Sequence, residues 1–153
     1  MSAEAVAQLL EREFPQMYFA GSGTTIEAAW HGGCRVRRAF SEKSLRPGGT
    51  ISGPTMMGLT DFSMYVAILA SVGPVPLAVT TNLNINFLRK PGPRDLLADA
   101  QLLKLGQRLA VGEVTIRSEG EEEPVAHVTS TYRVSRRAGA VDLATGHRES
   151  CPL

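Results

Sequence analysis

The chain is poor in the residues that would indicate several common protein classes. It has only two cysteines, Cys34 and Cys151, and they are too far apart in sequence to predict a disulfide framework or a zinc site. It also has no excess of charge of one sign, because 16 basic and 15 acidic residues leave a formal net charge of +1. A general field that attracts nucleic acid or a membrane surface is therefore excluded, and any anionic ligand must bind at a local cluster of cations.

The sequence also lacks the segments that direct a protein into or across a membrane. Residues 1–14 have no basic region, and acids interrupt their apolar residues, so they do not form a secretory signal. The apolar stretch 54–72 is interrupted by Gly58, Asp61 and several hydroxyl groups, which argues against a membrane span. We therefore predict a cytoplasmic protein that binds neither membrane nor nucleic acid.

What is present suits one globular domain, because 153 residues that are 43% hydrophobic can bury a substantial core. Helical spacing of apolar residues predicts a helix over 3–13, and we assign 1–20 to this helix and its lead-in. We assign 21–135 to the single domain. Little apolar periodicity remains in 136–153, so this segment is predicted to be a flexible tail.

The most informative segment is a glycine-rich turn, 48–53, that leads into an apolar helix over 54–72 carrying a single acid, Asp61. An ionised carboxylate inside such a helix costs several kcal/mol unless it is paired or faces a wet cleft. Catalytic carboxylates occupy such places, so Asp61 is a candidate general base or nucleophile. The alternatives are that Asp61 only accepts hydrogen bonds from a neighbouring loop, and that the glycines only form a turn.

The remaining pattern predicts strands. Two of them, 24–30 and 35–40, flank a glycine turn, and a long strand over 77–88 alternates apolar residues with Asn82, Asn84 and Asn86. Three more follow at 95–106, 108–118 and 124–135, and we expect the four strands after position 76 to be linked as consecutive hairpins. The predicted class is α+β, an antiparallel β-sheet wrapped around one long central helix. One sheet covering one helix leaves an edge or outer face unpartnered, so we expect a homodimer and its further association into a homotetramer.

Two motifs carry a resemblance to a known family. The segment G-T-I-S-G-P-x6-D over 49–61, followed by T-T-N-L-N-I-N-F-L-R-K-P over 80–91, resembles the hotdog-fold acyl-CoA thioesterases of the phenylacetate-pathway type. The resemblance covers roughly residues 20–135. It implies the hotdog fold and hydrolysis of an acyl-CoA thioester to a free acid and coenzyme A, which is part of the substrate, so no cofactor is expected.

The resemblance also implies roles for individual residues. Asp61 stands at the position of the base or nucleophile, Gly53 at the position whose amide polarises the thioester oxygen, and Thr80 at that of a supporting hydroxyl. The chain departs from the pattern at Ser52, where the family has His, and at Arg46, where it has Asn. Pro54 replaces the second glycine, which the first helical turn tolerates. We predict that four residues help to position the substrate: Ser52, Arg46 and Pro54 at these positions, and Tyr65 on the central helix.

Helix geometry places a constraint on this assignment. Gly53 and Asp61 are eight residues apart, which is about 12 Å along one helix at about 1.5 Å per residue. They cannot serve the same carbonyl within one chain. Two such helices running antiparallel across a dimer axis would bring Gly53 of one subunit to Asp61 of the other, giving two composite sites.

Cations near strand ends are candidates for binding the phosphates of coenzyme A. The candidate residues are Arg89, Lys90, Arg94, Gly106, Gln107 and Arg108. The alternative is that these are ordinary solvated turn residues.

Two other functions stay open at this point: a non-catalytic acyl-CoA or aromatic-ligand binding protein with the same fold, and a hotdog dehydratase, although Ser52 argues against the latter. No metal site is predicted.

Overall fold

The computed structural model describes residues 1–135, in which a six-stranded antiparallel sheet wraps around one long helix. The predicted tail, 136–153, lies outside the described residues. In chain order the elements are α1 (Ala3–Glu13), β1 (Thr24–Trp30), β2 (Gly33–Arg38), a 3₁₀ turn (Glu42–Ser44), β3 (Leu45–Arg46), β4 (Thr50–Ile51), α2 (Gly53–Val72), β5 (Val79–Phe87), β6 (Leu96–Leu105), β7 (Leu109–Ser118) and β8 (Pro124–Arg133).

Both predicted helices and all six predicted strands are present, with ends that differ by two residues or fewer from those predicted. The sequence analysis missed the 3₁₀ turn and the small β3–β4 ribbon, each of which is only two or three residues long. The ribbon positions the glycine-rich turn before α2, because the Ser52 amide donates to the Ser44 carbonyl at 2.8 Å and the Ile51 amide to the Pro91 carbonyl at 3.2 Å.

The strand order is β1-β2-β6-β7-β8-β5, and this order corrects one prediction. The strands after position 76 are not all consecutive hairpins, because β5 pairs with β8 and β6 pairs with β2. Pro91 and Pro93 lie in the link between β5 and β6 and have no amide hydrogen to close a tight hairpin. The link instead crosses the end of the sheet, and the β6–β7–β8 hairpins form as predicted.

Helix α2 fills the concave side of the sheet. Ser52 precedes its first turn, Pro54 lies within that turn, and Gly73, with φ of +87°, ends the helix. Most of its side chains are buried against the sheet, and α1 covers one flank with its buried residues Val6 and Leu10. One stripe of α2 stays accessible, and it consists of Gly53, Pro54, Met57, Gly58, Asp61 and Tyr65.

Helix α2 is also long and apolar enough to cross a membrane by length and composition alone, but 61% of its most apolar window is buried in this fold. The core helix of a soluble domain meets the same criterion, so the finding is weak evidence for a span.

Strand β5 forms one edge of the sheet, and within the described residues only β8 pairs with it. The predicted alternation is present, since Leu83 and Ile85 pack on the core while Asn82, Asn84 and Asn86 are exposed. Phe87 is the exception, because about half of its surface is accessible. The strand has nine residues and no charge, so the usual protection of an exposed edge is missing.

Candidate active site

Asp61 lies on the accessible stripe of α2, and two hydroxyl groups hold its carboxylate. Thr80 Oγ1 donates to Asp61 Oδ1 at 2.5 Å, and the Tyr132 hydroxyl donates to the same oxygen at 2.6 Å. The Tyr132 hydroxyl also lies 2.8 Å from the main-chain carbonyl oxygen of Asp61. Asp61 is half-buried, so its carboxylate is fixed by the protein and still open to a ligand.

A β-bulge in β5 turns Thr80 towards this carboxylate. Simple alternation would place Thr80 on the outer face of the sheet with Asn82 and Asn84. The register shifts between Thr80, which pairs with Tyr132, and Asn82, which pairs with Thr131. The extra residue, Thr81, therefore lets Thr80 face α2.

Tyr132 was not identified from the sequence. It lies on the core face of β8 and is only 3% exposed. Burial, and next the hydrogen bond to Asp61, raise the pKa of the Tyr132 phenol, so at neutral pH it is a hydrogen-bond donor. A signal existed in the sequence. A tyrosine on the buried face of a strand needs a hydrogen-bond partner for its hydroxyl, and Asp61 is the one acid in the central helix.

A cavity of about 450 Å³ opens beside the Asp61 carboxylate. Apart from Asp61, Thr80 and Tyr132, its walls are Glu13, Phe14, Met17, Phe62, Tyr65, Pro76, Ala78 and Val79. Most of these side chains are apolar, and no Lys or Arg is among them. The Tyr65 hydroxyl donates to the Pro76 carbonyl at 3.2 Å, so Tyr65 lines the cavity with its hydroxyl bonded to Pro76 rather than to Asp61. The contribution of α1 and the turn after it to this wall was not predicted.

Gly53 lies in a different cavity of about 390 Å³ at the N-terminus of α2, and no residue lines both cavities. Its other walls are Arg46, Pro47, Gly48, Thr50, Ile51, Met56, Phe87, Arg89, Lys90 and Pro91. Within the described residues, Arg46 and Lys90 form no ion pair, whereas Arg89 pairs with Glu123 at 2.8 Å. Three cations and a helix N-terminus, with no acid in the lining, favour an anionic ligand here.

The structure separates the other predicted site residues. Ser52 shares a hydrogen bond of 2.9 Å with the Thr55 hydroxyl, and Pro54 lines a third, smaller depression together with Gly58. Arg94 lies 3.4 Å from Glu121 in an ion pair and lines neither of the two larger cavities.

The predicted coenzyme A cluster is also divided. The β6–β7 turn contains Gly106, Gln107 and Arg108, and Leu109 follows it directly. Both Leu109 and Val79, the first residue of β5, pair with Arg133 of β8. The turn therefore lies at the end of the sheet where β5 begins. Arg89 and Lys90 follow the other end of β5. Within one chain the two halves of the cluster therefore lie at opposite ends of the sheet.

Among residues 1–135, no three His, Cys, Asp or Glu side chains are grouped closely enough to hold a metal ion.

Comparison with known proteins identifies the family. Residues 48–125, just over half of the chain, match the thioesterase superfamily model. A candidate thioesterase from Silicibacter sp. TM1040 has a similar structure, with a TM-score of 0.79, 46% sequence identity, and coverage of 88% of this chain and 92% of that one. A candidate esterase from Halobacterium salinarum is 30% identical over 74% of this chain and 82% of its own length.

A third relative supports the more specific resemblance. A variant of the phenylacetic acid degradation protein PaaI from Thermus thermophilus has a TM-score of 0.67 and 26% identity, with 78% of this chain and 98% of that chain covered. These matches confirm the predicted hotdog fold and the predicted family, and they favour the hydrolase over the non-catalytic alternative. The chain therefore belongs to the thioesterase superfamily, and it is a thioester hydrolase.

Proposed function

We propose that this hydrolase cleaves acyl-CoA thioesters at a site shared by two copies of the chain, with Asp61 of one copy and the Gly53 amide of the other acting on the same thioester. The observation that carries the proposal is the separation of these groups on the accessible side of α2. Asp61 and Gly53 line different cavities, so one copy alone cannot act on one carbonyl with both.

Charge complementarity supports the pairing of two copies. The Asp61 cavity contains the acids Asp61 and Glu13 and no Lys or Arg, whereas the Gly53 cavity contains three cations and no acid. An antiparallel arrangement of two α2 helices brings each acidic cavity to a cationic one. The uncharged open edge of β5 is available for the same contact, since a second β5 can satisfy its free backbone groups.

The same arrangement reunites the divided coenzyme A cluster. Antiparallel pairing places the β6–β7 turn of one copy near Arg89 and Lys90 of the other, because these groups lie at opposite ends of β5 in each copy. Cations from both copies then surround the phosphates of one coenzyme A, in keeping with the predicted roles of Arg89, Lys90 and Arg108. A tetramer built from two such dimers, and a cytoplasmic location, stay predictions.

The chemistry follows from the two cavities. The thioester oxygen gains negative charge as the tetrahedral intermediate forms, and the Gly53 amide at the N-terminus of α2 stabilises this charge. Asp61 either removes a proton from the attacking water or attacks the carbonyl carbon itself. The carbon–sulfur bond then breaks and the thiol of coenzyme A leaves. Where Asp61 is the nucleophile, water next hydrolyses the mixed anhydride, which releases the free acid and restores the Asp61 carboxylate. The apolar walls around Asp61 suit an uncharged acyl group, of short or medium chain or aryl.

The first test is thiol release from a panel of short-chain, medium-chain and aryl acyl-CoA esters. Asp61→Asn should lower kcat by roughly a hundredfold or more, as expected for loss of a general base. Glu13→Gln is the matched control, because Glu13 is the other acid of the same cavity and should be dispensable for the chemistry. Equal activity of Asp61→Asn and the unaltered protein would contradict the role of Asp61.

The second test asks whether the site is shared. Gly53→Val places a side chain in the cavity that Gly53 lines, where even a Cβ at this position would lie 3.2 Å from Phe87 Cζ. Each of Gly53→Val and Asp61→Asn should be inactive alone. An equimolar mixture that exchanges subunits should regain about a quarter of the unaltered activity, because half of the dimers are mixed and each has one intact site. No recovery, with subunit exchange demonstrated, would contradict a composite site.

A further inference from the structure

The Asp61 carboxylate is held asymmetrically. Both hydroxyl donors, Thr80 Oγ1 and the Tyr132 hydroxyl, contact Oδ1, at 2.5 Å and 2.6 Å. Among residues 1–135, no hydrogen bond reaches Oδ2. The two oxygens of this carboxylate therefore have different surroundings: one is bound within the protein, and the other has no partner in the described part of the chain.

The two donors also differ from each other. Thr80 is exposed on the edge strand β5, whereas Tyr132 is buried on β8 and is held by the pairing of β8 with both β5 and β7. The second contact of the Tyr132 hydroxyl, to the Asp61 main-chain oxygen at 2.8 Å, ties the same phenol to the helix backbone. Tyr132 therefore fixes the carboxylate relative to both the helix and the sheet.

We propose that Tyr132 is a positioning residue that, with Thr80, holds Oδ1 of Asp61 so that Oδ2 is the oxygen that reacts with water or with the thioester carbonyl. This inference rests on the proposed role of Asp61. The carboxylate keeps one orientation while its free oxygen faces the cavity.

Other titratable groups near Asp61 define the controls. The cavity brings Glu13 from α1 and Tyr65 from α2 close to Asp61, and the segment 76–79 contributes no charge. Tyr65 is the matched control, because its hydroxyl lines the same cavity but donates to the Pro76 carbonyl. Tyr132→Phe and Tyr65→Phe each remove one phenolic hydroxyl group from this cavity. Only Tyr132→Phe removes a hydrogen bond to Asp61.

The experiment combines kinetics with a spectroscopic measurement that needs no activity. In Tyr132→Phe, kcat should fall on the order of ten- to a hundredfold with little change in KM. The carboxyl ¹³C resonance of Asp61, assigned with Asp61→Asn, should shift in Tyr132→Phe, because the carboxylate loses a hydrogen-bond donor. Tyr65→Phe should leave this resonance unchanged.

The outcomes separate this inference from the proposed function. An unchanged Asp61 carboxyl resonance in a folded Tyr132→Phe protein would overturn the positioning role, whatever the activity. A shifted resonance in this variant, with no turnover of any thioester by the unaltered protein, would support the role of Tyr132 and contradict the proposed function. If Tyr132→Phe does not fold, Thr80→Val on the exposed edge strand removes the other donor, and a shift of the Asp61 resonance is then required.

Discussion

Gly58 provides the sharpest test of the paired-helix site. It lies in the middle of α2 on the accessible stripe. Within residues 1–135, a Cβ built on it meets no atom within 4 Å beyond its chain neighbours and the nearby backbone of its own helix. In an isolated subunit, Gly58→Ala should therefore stabilise the helix by about 1 kcal/mol, because alanine is the better helix former. That gain should raise the melting temperature of the monomer by about 2–4 °C.

Within the proposed dimer the same change should have the opposite effect. Position 57 is midway between Gly53 and Asp61, so an axis that brings these two residues together passes beside Met57 and Gly58. An added methyl group on each copy then lies where the two helices cross, and such overpacking costs about 1–3 kcal/mol. The dissociation constant of the dimer should rise about five- to a hundredfold, and activity at low protein concentration should fall with it.

The assay is analytical ultracentrifugation over a range of protein concentrations, together with thermal unfolding and thioester hydrolysis at the same concentrations. Gln8→Ala is the control, because Gln8 is exposed on α1 and lies outside the accessible stripe of α2. It should leave the dissociation constant unchanged. If Gly58→Ala raises the melting temperature at every concentration and leaves association unchanged, the helices do not cross at this point and the composite site is wrong.

Three further predictions concern other parts of the molecule. Gly112→Ala should destabilise the fold by about 1–3 kcal/mol in urea unfolding, because its Cβ would lie 2.7 Å from Sδ of the buried Met64. Cys34 should resist alkylation in the folded protein at pH 8, as shown by peptide mapping, because burial raises the pKa of its thiol to about 12. Arg46→Ala and Lys90→Ala should raise KM for an acyl-CoA in a salt-dependent manner and leave KM for the matching acyl-pantetheine, which lacks the nucleotide phosphates, nearly unchanged.

The sequence was sufficient where local periodicity determines structure. The apolar helix with one acid, the glycine turn before it and the alternation along β5 each follow from a period of 3.6 or 2 residues. The strand order could not be derived in this way, because β5 and β8 are about 40 residues apart and no local pattern specifies which free edge β5 joins. The link containing Pro91 and Pro93 was the one sequence signal that argued against a β5–β6 hairpin.

This difference explains why the sequence analysis named Thr80 beside Asp61 and missed Tyr132. Asp61, Gly53 and Thr80 belong to motifs that lie close together in the chain. Tyr132 reaches Asp61 only because β8 pairs with β5, and the bulge at Thr81 then turns Thr80 to the same side as Tyr132. The carboxylate is thus held by one donor that a motif can reveal and by another that only the strand pairing supplies. A variant series limited to the motif residues would leave the second donor, and its effect on the orientation of the carboxylate, untested.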